Sequence, residues 1–350
     1  MSWPGEEWAP VSGRRATMQQ VAAAAGVSLK TVSRVVNRER GVSPALIARV
    51  DAAVERLGYR HNLAASQLRR GRVTSSIGIL LQDLGNDFCA ELLRAVEDRA
   101  RDAGLVVMSA SLDEDPDRER DLVRGLVERR IDGLILMPAS TDQSYLAREI
   151  DTGLGVVVVD RRPHGLDLDS VTTDNRGGAE AGVRHLLDRG HRRVGFVGDD
   201  LSIQTAPPRL EGYRDALRAA GIDIDPALER PGHGSPAQAE KAVLDLLALP
   251  DPPTALFTAR NEVTVGAVRG LRRAGRAADV ALVGFDDFAT ADLLEPGITV
   301  VRQDAQGQGH RAMELLATRM AGEAEATVTL VLDTSLVPRG SGEITPRRAG

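Results

Sequence analysis

The chain is poor in the residues that cross-link small proteins or anchor them in membranes. It contains one cysteine, Cys89, so an intrachain disulfide framework and a cysteine zinc site are both excluded. No apolar run approaches the roughly 20 residues of a membrane span. The N-terminus lacks the apolar stretch of a secretory signal, and residues 1–16 are expected to be a disordered extension. The composition favours a cytoplasmic protein with no membrane contact.

Motifs of the common enzyme classes are also missing. The sequence has no GxGxxG motif after a strand, no Walker loop, no HExxH motif and no nucleophile elbow. The six histidines are scattered, at positions more typical of solvent-facing or capping roles. The sequence therefore predicts no catalytic residue, no metal site and no cofactor.

Basic charge is concentrated near the N-terminus of an otherwise acidic chain. From Arg14 to Arg72 there are twelve basic and three acidic residues, a net charge of +9. From Val73 to Gly350 there are 32 basic and 45 acidic residues, a net charge of −13. Clustered basic charge is typical of polyanion binding, because each neutralised phosphate releases condensed counterions. The basic segment is predicted to bind DNA.

The local pattern of this segment predicts a helix-turn-helix. Thr17 and Gln20 form a capping box for a helix over residues 18–25, and Gly26 ends that helix. A three-residue turn leads to a second helix over residues 29–37. Its apolar stripe consists of Val32, Val35 and Val36, and its polar face of Lys30, Thr31, Ser33, Arg34 and Asn37. We expect this face to lie in a DNA major groove, with Thr17 and Ser28 among the neighbouring contacts.

A third helix is predicted between Pro44, at its first position, and Gly58, which closes it. Apolar residues at helical spacing should join it to one small core: Leu46, Ile47, Val50, Val54 and Leu57. A three-helix module without a nucleic-acid role is the alternative, and the charge and the spacing together count against it.

Several motifs of this segment resemble the headpiece of the lactose-repressor/galactose-repressor (LacI/GalR) family of bacterial transcription regulators. They are Val21-Ala22, Ala25-Gly26-Val27-Ser28, residues 31–37, Leu57-Gly58-Tyr59, Asn62, Ala65 and Leu68. The resemblance implies a homodimer on a palindromic double-stranded DNA operator. It also implies that Leu29, Lys30 and Arg34 read base edges, since Arg and Lys pair with guanine and Leu offers only apolar contact. Contact of Arg34 with phosphate alone is the alternative.

Residues 62–73 match the family's hinge helix and linker, after a DNA-binding domain over residues 17–61. The resemblance implies that Asn62 and Ala65 contact DNA and that Leu68 wedges into the minor groove at the operator centre. Packing of Leu68 on the next domain is the alternative. His61 departs from the family, which commonly has a proline there.

The rest of the chain alternates short apolar runs with helical segments, as in parallel α/β sheets covered on both faces. The runs are residues 77–81, 105–109, 133–137, 156–159, 194–198, 255–258 and 280–285, and the helices 88–103, 117–130, 179–189, 209–220, 237–249, 262–274 and 309–320. The resemblance implies a two-lobe effector-binding and dimerisation domain of the periplasmic-binding-protein kind over residues 74–341. Lobe crossings are expected near residues 173, 302 and 333, and a tail over 342–350.

Polar residues at strand ends predict a ligand site, because ligands of open α/β sheets bind beyond the carboxyl ends of the strands. Asp160, Asn261 and Asp286 follow strands, and Arg209 opens a helix. These four match the family's effector-binding residues, and carboxylate, amide and guanidinium groups suit the hydroxyls of a sugar. Helix capping by the aspartates, and pairing of Arg209 with Glu211, are the alternatives.

Departures from the family pattern bear on the identity of the ligand. The chain has ten aromatic residues. Members of the family often carry an aromatic platform for the effector ring in the region that matches Gly232-His233-Gly234, but this region has no aromatic residue here. Phe88 and Phe288 are the remaining candidates for a stacking surface, Ala305 replaces a phenylalanine of some relatives, and Glu262 replaces an aspartate. The prediction is a sugar-responsive transcriptional repressor of carbohydrate-metabolism genes. A cytosolic sugar-binding protein, or a regulator whose cleft binds nothing, is the alternative.

Overall fold

The computed structural model describes residues 16–36, 41–57, 76–324 and 326–346. The chain divides into two compact units, one up to Thr74 and one from Ser75 onward. The expected disordered extension lies outside the described residues except for Ala16, as do Asn37 and the whole hinge segment with Asn62, Ala65 and Leu68.

The described residues of the first unit form three helices: α1 (Met18–Ala25), α2 (Leu29–Val36) and α3 (Pro44–Leu57). The predicted capping box is present, because Gln20 N donates to Thr17 Oγ1 while Gln20 Oε1 accepts from Thr17 N. Gly26 ends α1 in the left-handed conformation, with φ 60°, which glycine adopts without a steric cost. The turn of three residues before α2 therefore follows from local chemistry.

The headpiece core is small and consists mainly of valine and alanine. Val21, Val32 and Val50 have no exposed surface, and Ala53 is 2% exposed. The predicted stripe on α3 is partly wrong, because Ile47 and Leu57 are exposed and the shorter Ala53 faces the core instead. Two α3 arginines bind free carbonyls at the end of α1: Arg49 donates to Ala25 O at 2.7 Å, and Arg56 to Ala24 O at 3.3 Å.

The second unit has two lobes, each built on a six-stranded sheet. The first lobe contains strands β1 (Ser76–Leu81), β2 (Val106–Ser111), β3 (Gly133–Leu136), β4 (Gly155–Val159), β5 (Asp169–Thr173) and β11 (Thr329–Leu332), in the order β11-β5-β4-β3-β1-β2. Its helices are α4 (Asp87–Asp102), α5 (Pro116–Glu128), α6 (Ala147–Asp151) and α11 (Ala305–Met320). All its strand pairs are parallel.

The second lobe contains strands β6 (Val194–Val197), β7 (Glu229–Arg230), β8 (Ala255–Thr258), β9 (Ala281–Phe285), β10 (Thr299–Arg302) and β12 (Ser335–Val337), in the order β12-β10-β9-β8-β6-β7. Its helices are α7 (Asn175–Leu187), α8 (Ala206–Ala219), α9 (Pro236–Leu247) and α10 (Asn261–Arg273). The sheet is parallel except that β12 runs antiparallel to β10. The predicted fold class, an α-helical headpiece followed by a two-lobe α/β domain, is confirmed.

Each central strand buries both faces, which explains the continuous apolar runs. Ile77, Ile79 and Leu81 of β1 pack toward α4 and α11, whereas Leu80 packs on the opposite face with Val123 of α5. Alternate side chains of a strand point to opposite faces, so every residue of such a strand must be apolar.

Five strands of the described chain were not predicted, because no continuous apolar run marks them in the sequence. The clearest case is β5. Its first residue, Asp169, is 2% exposed and accepts two hydrogen bonds from Arg319 of α11, at 2.7 and 2.8 Å. A buried carboxylate is tolerated because its charged partner and its hydrogen bonds are present. The other four are short or peripheral, namely β7, β10, β11 and β12.

The chain passes between the lobes three times: after β5, after β10, and between β11 and β12. The first two crossings are built alike. Asp174 caps α7 by accepting from Gly177 N at 2.9 Å, and Asp304 caps α11 by accepting from Gly307 N at 2.7 Å.

Residues 341–344 pack on the second lobe, so the expected tail does not begin at residue 342. Ser341–Glu343 form a 3-10 turn, in which Ser341 Oγ donates to Leu282 O at 2.6 Å. Two histidines hold this segment and are buried, contrary to the expected solvent-facing or capping roles. His185 Nε2 lies 2.6 Å from Glu343 Oε1, and His191 Nε2 lies 2.8 Å from Ile344 O.

Within the described ranges, no helix is both long enough and apolar enough to cross a membrane.

Candidate functional site

The carboxyl ends of the strands in both lobes face a common cleft, which is nearly closed in this lobe arrangement. Two aspartates hold equivalent places in it. Asp160 follows β4 with φ 64°, and its N–H donates to Val171 O of β5. Asp286 follows β9 with φ 68°, and its N–H donates to Val301 O of β10. Aspartate tolerates the left-handed region better than most residues, so each strand turns sharply and presents its carboxylate to the cleft.

Arg209 lies at the centre of the second lobe's wall. It is the fourth residue of α8 rather than its first, and it is 4% exposed. Its Nε donates to Asn175 Oδ1 and its Nη1 to Ala259 O, both at 2.7 Å. Nη1 also donates to Asp286 Oδ2 at 3.3 Å, and the guanidinium lies 4.0 Å from the ring centroid of Phe285. The alternative pairing with Glu211 is therefore wrong, since Glu211 binds Arg214.

Both carboxylate oxygens of Asp286 accept hydrogen bonds from protein side chains. Besides Arg209, Gln303 Nε2 donates to its Oδ1 at 2.6 Å. Gln303 comes from the crossing after β10, so this carboxylate joins the second lobe's wall to a lobe crossing.

Asp160 differs from Asp286 in having no hydrogen-bond donor among the described residues. It is 8% exposed, and the nearest guanidinium atom, Arg161 Nε, lies 3.8 Å from its Oδ2. Burial raises the pKa of the Asp160 carboxyl, against the opposing effects of Arg161 and Arg209. A buried carboxylate that faces a cavity without a donor is an acceptor available to a ligand.

Asn261 opens α10 and contacts the opposite lobe. Asn86, which caps α4, donates from Nδ2 to Asn261 Oδ1 at 2.9 Å, and Asn261 Nδ2 donates to Asn86 Oδ1 at 3.2 Å. This reciprocal amide pair joins the lobes across the cleft. Ala289 N adds a second interlobe bond, to Asp87 Oδ2 at 3.0 Å. The lobes are in direct contact, and a ligand enters only when they separate or side chains move.

Only one of the two aromatic candidates lines the cleft. Phe88 is half-buried at its edge and packs on the first lobe's core. Phe288 is in the core between the second lobe's sheet and α9–α10, so its proposed stacking role is wrong.

Several cleft residues were not among the sequence-based candidates: Cys89, Arg161, Asp199, Thr205, Arg260 and Gln303. Two of them carried the same signal as the predicted ones, because Asp199 comes just after β6 and Arg260 just after β8. Arg260 Nη1 lies 3.3 Å from Asp199 Oδ2, and its Nη2 binds Glu262. The departure at Glu262 thus supplies a partner for Arg260.

Every guanidinium that lines this cleft has a carboxylate partner. Arg209 pairs with Asp286 and Arg260 with Asp199, as described above. Arg161 Nη1 donates to Glu114 Oε2 at 2.7 Å and also to Pro138 O. The cleft therefore suits a neutral polar ligand better than an anion, which would have to compete with these carboxylates.

The predicted DNA-reading residues lie at the start of α2 and along it. Leu29 is 42% exposed and Lys30 is exposed, whereas Thr31, Ser33 and Arg34 are half-buried. Ser28 Oγ accepts from Thr31 N at 3.1 Å, so it also caps α2. Among the described residues, no group of acidic, histidine or cysteine side chains is placed to hold a metal ion.

Two family models match the chain. The model of bacterial regulatory proteins, lacI family, matches residues 17–62, and that of a periplasmic binding protein-like domain matches residues 183–342. The ribose operon repressor of Escherichia coli (strain K12) is 32% identical over 331 residues, which cover 93% of this chain and 99% of the relative.

Two solved structures are similar along nearly the whole chain. The Lac repressor dimer bound to operator and the anti-inducer ONPF is 28% identical with a TM-score of 0.79, over 94% of this chain and 99% of that chain. The complex of the transcriptional regulator CelR with cellobiose is 32% identical with a TM-score of 0.69, over 93% and 100%.

The matched regions coincide with the helix-turn-helix and with the lobe that carries Arg209, Asn261 and Asp286. The family resemblance of the headpiece motifs is confirmed, and the relatives are transcriptional regulators rather than enzymes. The chain belongs to the lacI family of bacterial regulatory proteins and is a DNA-binding transcriptional regulator with a periplasmic binding protein-like domain.

Proposed function

We propose that this regulator binds a palindromic operator as a homodimer and that a small neutral sugar in the interlobe cleft changes its operator affinity. The observation that carries the effector part is Asp160, a buried carboxylate that faces the cleft with no donor among the described residues. A ligand hydroxyl supplies the missing donor. The paired guanidiniums of the cleft favour a neutral ligand, and the CelR–cellobiose complex is a related protein with a bound sugar.

The DNA part rests on charge and exposure. The basic segment carries a net charge of +9, and the first residues of α2 are exposed on a capped helix. Two-fold symmetry of a homodimer maps onto two half-sites of a palindrome. The DNA contacts we assign are those of Thr17, Ser28, Leu29, Lys30, Thr31, Ser33, Arg34, Asn37, Asn62, Ala65 and Leu68.

Fluorescence anisotropy with DNA from the gene's own promoter tests this assignment, with a scrambled duplex as control. Wild-type protein should bind the promoter DNA more tightly at physiological salt. Arg34→Ala should cost about 1 to 3 kcal/mol on the operator and relax the preference at one base pair. Equal binding of promoter and scrambled DNA by the wild type would refute operator recognition, and an equal loss on both DNAs in the variant would refute base reading by Arg34.

The effector part is tested by a thermal-shift screen of pentoses, hexoses and disaccharides. Asp160→Asn should reduce the stabilisation of the protein by its sugar, because an amide oxygen is a weaker acceptor than a carboxylate. It should not lower the melting temperature of the free protein, because Asp160 loses no hydrogen bond and the amide avoids the desolvation cost of a charge. Asp245→Asn on the exposed face of α9 makes the same chemical change away from the cleft and is the control.

Equal stabilisation of wild type and Asp160→Asn by the sugar would place the site elsewhere. If no saccharide stabilises the wild type, the alternative is a regulator that needs no ligand. The observation in its favour is the Asn86–Asn261 pair, which joins the lobes without one.

Coupling between the two sites requires that the sugar bind one lobe arrangement more tightly than another. Operator and sugar then change each other's affinity by the same factor, typically about 5- to 150-fold. Measuring sugar affinity with and without operator DNA checks this reciprocity.

A further inference from the structure

A second cavity adjoins the effector cleft and shares two of its walls. Asp160 and Thr205 line both, and the second cavity is the larger, about 870 Å³ counted out to open solvent. Its other walls are the end of β5, the start of α7, the loop that carries Arg162 and His164, and Val331 of β11. We call it the hinge-side cavity, because β5 and β11 lead into lobe crossings.

The two shared residues have unused polar groups. Asp160 has no hydrogen-bond donor among the described residues. Thr205 is 8% exposed, and its hydroxyl neither caps α8 nor has another hydrogen-bond partner in the described part of the chain. Both side chains line both cavities, so each can form a hydrogen bond with a polar ligand group at the boundary between them.

The hinge-side cavity carries balanced charge. Asp160 and Asp174 contribute carboxylates, and Arg162 and Arg176 contribute guanidiniums. Arg176 already pairs with Asp215 at 2.6 Å. Pro208 and Val331 add apolar surface. A neutral group with both hydroxyls and an apolar face, such as a sugar ring, matches this lining.

We infer that the effector contains two sugar rings, one in the effector cleft and one in the hinge-side cavity, with the polar groups at their linkage facing Asp160 and Thr205. This inference rests on the proposed sugar-binding function and adds the size of the ligand. The second ring contacts both lobes, because Val331 and Thr172 come from the first lobe and Pro208 from the second. It therefore strengthens the effect of the ligand on lobe arrangement.

Val331→Trp is the direct test. Val331 is 50% exposed on an edge strand and lines only the hinge-side cavity, so an indole there fills the space for the second ring without entering the core. Val328→Trp is the matched control, because Val328 is 38% exposed next to the same strand and lines neither cavity.

Isothermal titration compares each hexose with its 1,4- and 1,6-linked disaccharides and each pentose with its 1,4-linked disaccharide. The wild type should bind one disaccharide at least about tenfold more tightly than its monosaccharide. Val331→Trp should remove that advantage and leave monosaccharide affinity within about twofold, while Val328→Trp changes neither.

A disaccharide that binds the wild type no more tightly than its monosaccharide overturns the inference, as does an advantage that survives Val331→Trp. Neither result touches the proposed function, whose effector part fails if no saccharide binds or if the sugar stabilises Asp160→Asn and the wild type equally. A measurement on the wild type covers the case in which Val331→Trp does not fold. The ring nitrogen resonances of His164 should shift with the disaccharide and not with the monosaccharide, and an unchanged His164 signal at saturating disaccharide overturns the inference.

Discussion

Replacement of Arg209 by alanine is expected to destabilise the effector domain strongly, even without ligand. Arg209 is 4% exposed and donates hydrogen bonds to Asn175, to Ala259 O and to Asp286. Its removal leaves Asp286 buried with Gln303 as the remaining donor. Loss of one partner of a buried ion pair costs about 3 to 5 kcal/mol, because the other charge stays desolvated.

The matched control is Arg218→Ala on the same helix. Arg218 pairs with Asp215 at 2.9 Å, but its side chain is 52% exposed. An exposed ion pair is screened by water and contributes about 0.2 to 1 kcal/mol. The two substitutions remove the same atoms, so the difference between them measures burial and pairing.

Urea unfolding followed by far-ultraviolet circular dichroism gives the free energies. A double variant, Arg209→Ala with Asp286→Ala, removes the stranded carboxylate as well. It should lose less than the sum of the two single losses, by about 0.5 to 3 kcal/mol. A cost below about 1 kcal/mol for Arg209→Ala, or strict additivity in the double variant, would refute the view that this pair preorganises the cleft wall.

Three further predictions concern single side chains. Burial lowers the pKa of His191, so below pH 6.5 the unfolded chain binds a proton more readily than the native state does. The free energy of unfolding should be constant above pH 6.5 and should fall as the pH drops from 6.5 toward the native pKa. His191→Gln should abolish this slope in pH-dependent urea titrations. Burial raises the pKa of the Cys89 thiol to about 12, so Ellman's reagent at pH 8 should label it only in denaturant, and labelling of native protein would contradict its burial. At Gly212 an added Cβ would lie 2.2 Å from Arg176 O, so Gly212→Ala should cost about 1 to 3 kcal/mol in thermal unfolding, and an unchanged melting temperature would show that α7 and α8 separate freely.

The sequence predicted the elements whose local signals agree with their burial. The strand Ala255–Thr258 lies where its apolar run predicts, because all four residues are buried. The strand Asp169–Thr173 has no such run. Its burial could not be predicted locally, because Asp169 is paired with Arg319, which is 150 residues away in the chain. In the headpiece, Ile47 has the stronger apolar signal but is 38% exposed, whereas the smaller Ala53 is 2% exposed and faces the core.

The candidate site divides in the same way. Asp160 and Asp286 could be found because they directly follow apolar strands, and Asp199 and Arg260 could have been found by the same rule. The interlobe pairing of Asn86 with Asn261 could not, because it joins residues 175 positions apart through the relative placement of two lobes. Local patterns identify polar residues at strand ends, but they do not determine which of these residues already have hydrogen-bond partners within the protein.

The two equivalent aspartates differ in their hydrogen-bond partners, and this difference gives them distinct roles. The backbone N–H of each donates to the strand that leads into a lobe crossing: Asp160 to Val171 of β5, and Asp286 to Val301 of β10. Asp286 is held by Arg209 and Gln303, so its position is fixed before a ligand arrives. Asp160 lacks such a donor, so a ligand hydroxyl gains more there than at Asp286. Because Asp160 is one hydrogen bond from the first crossing, a ligand that binds it differently in two lobe arrangements shifts the balance between them by that difference in affinity.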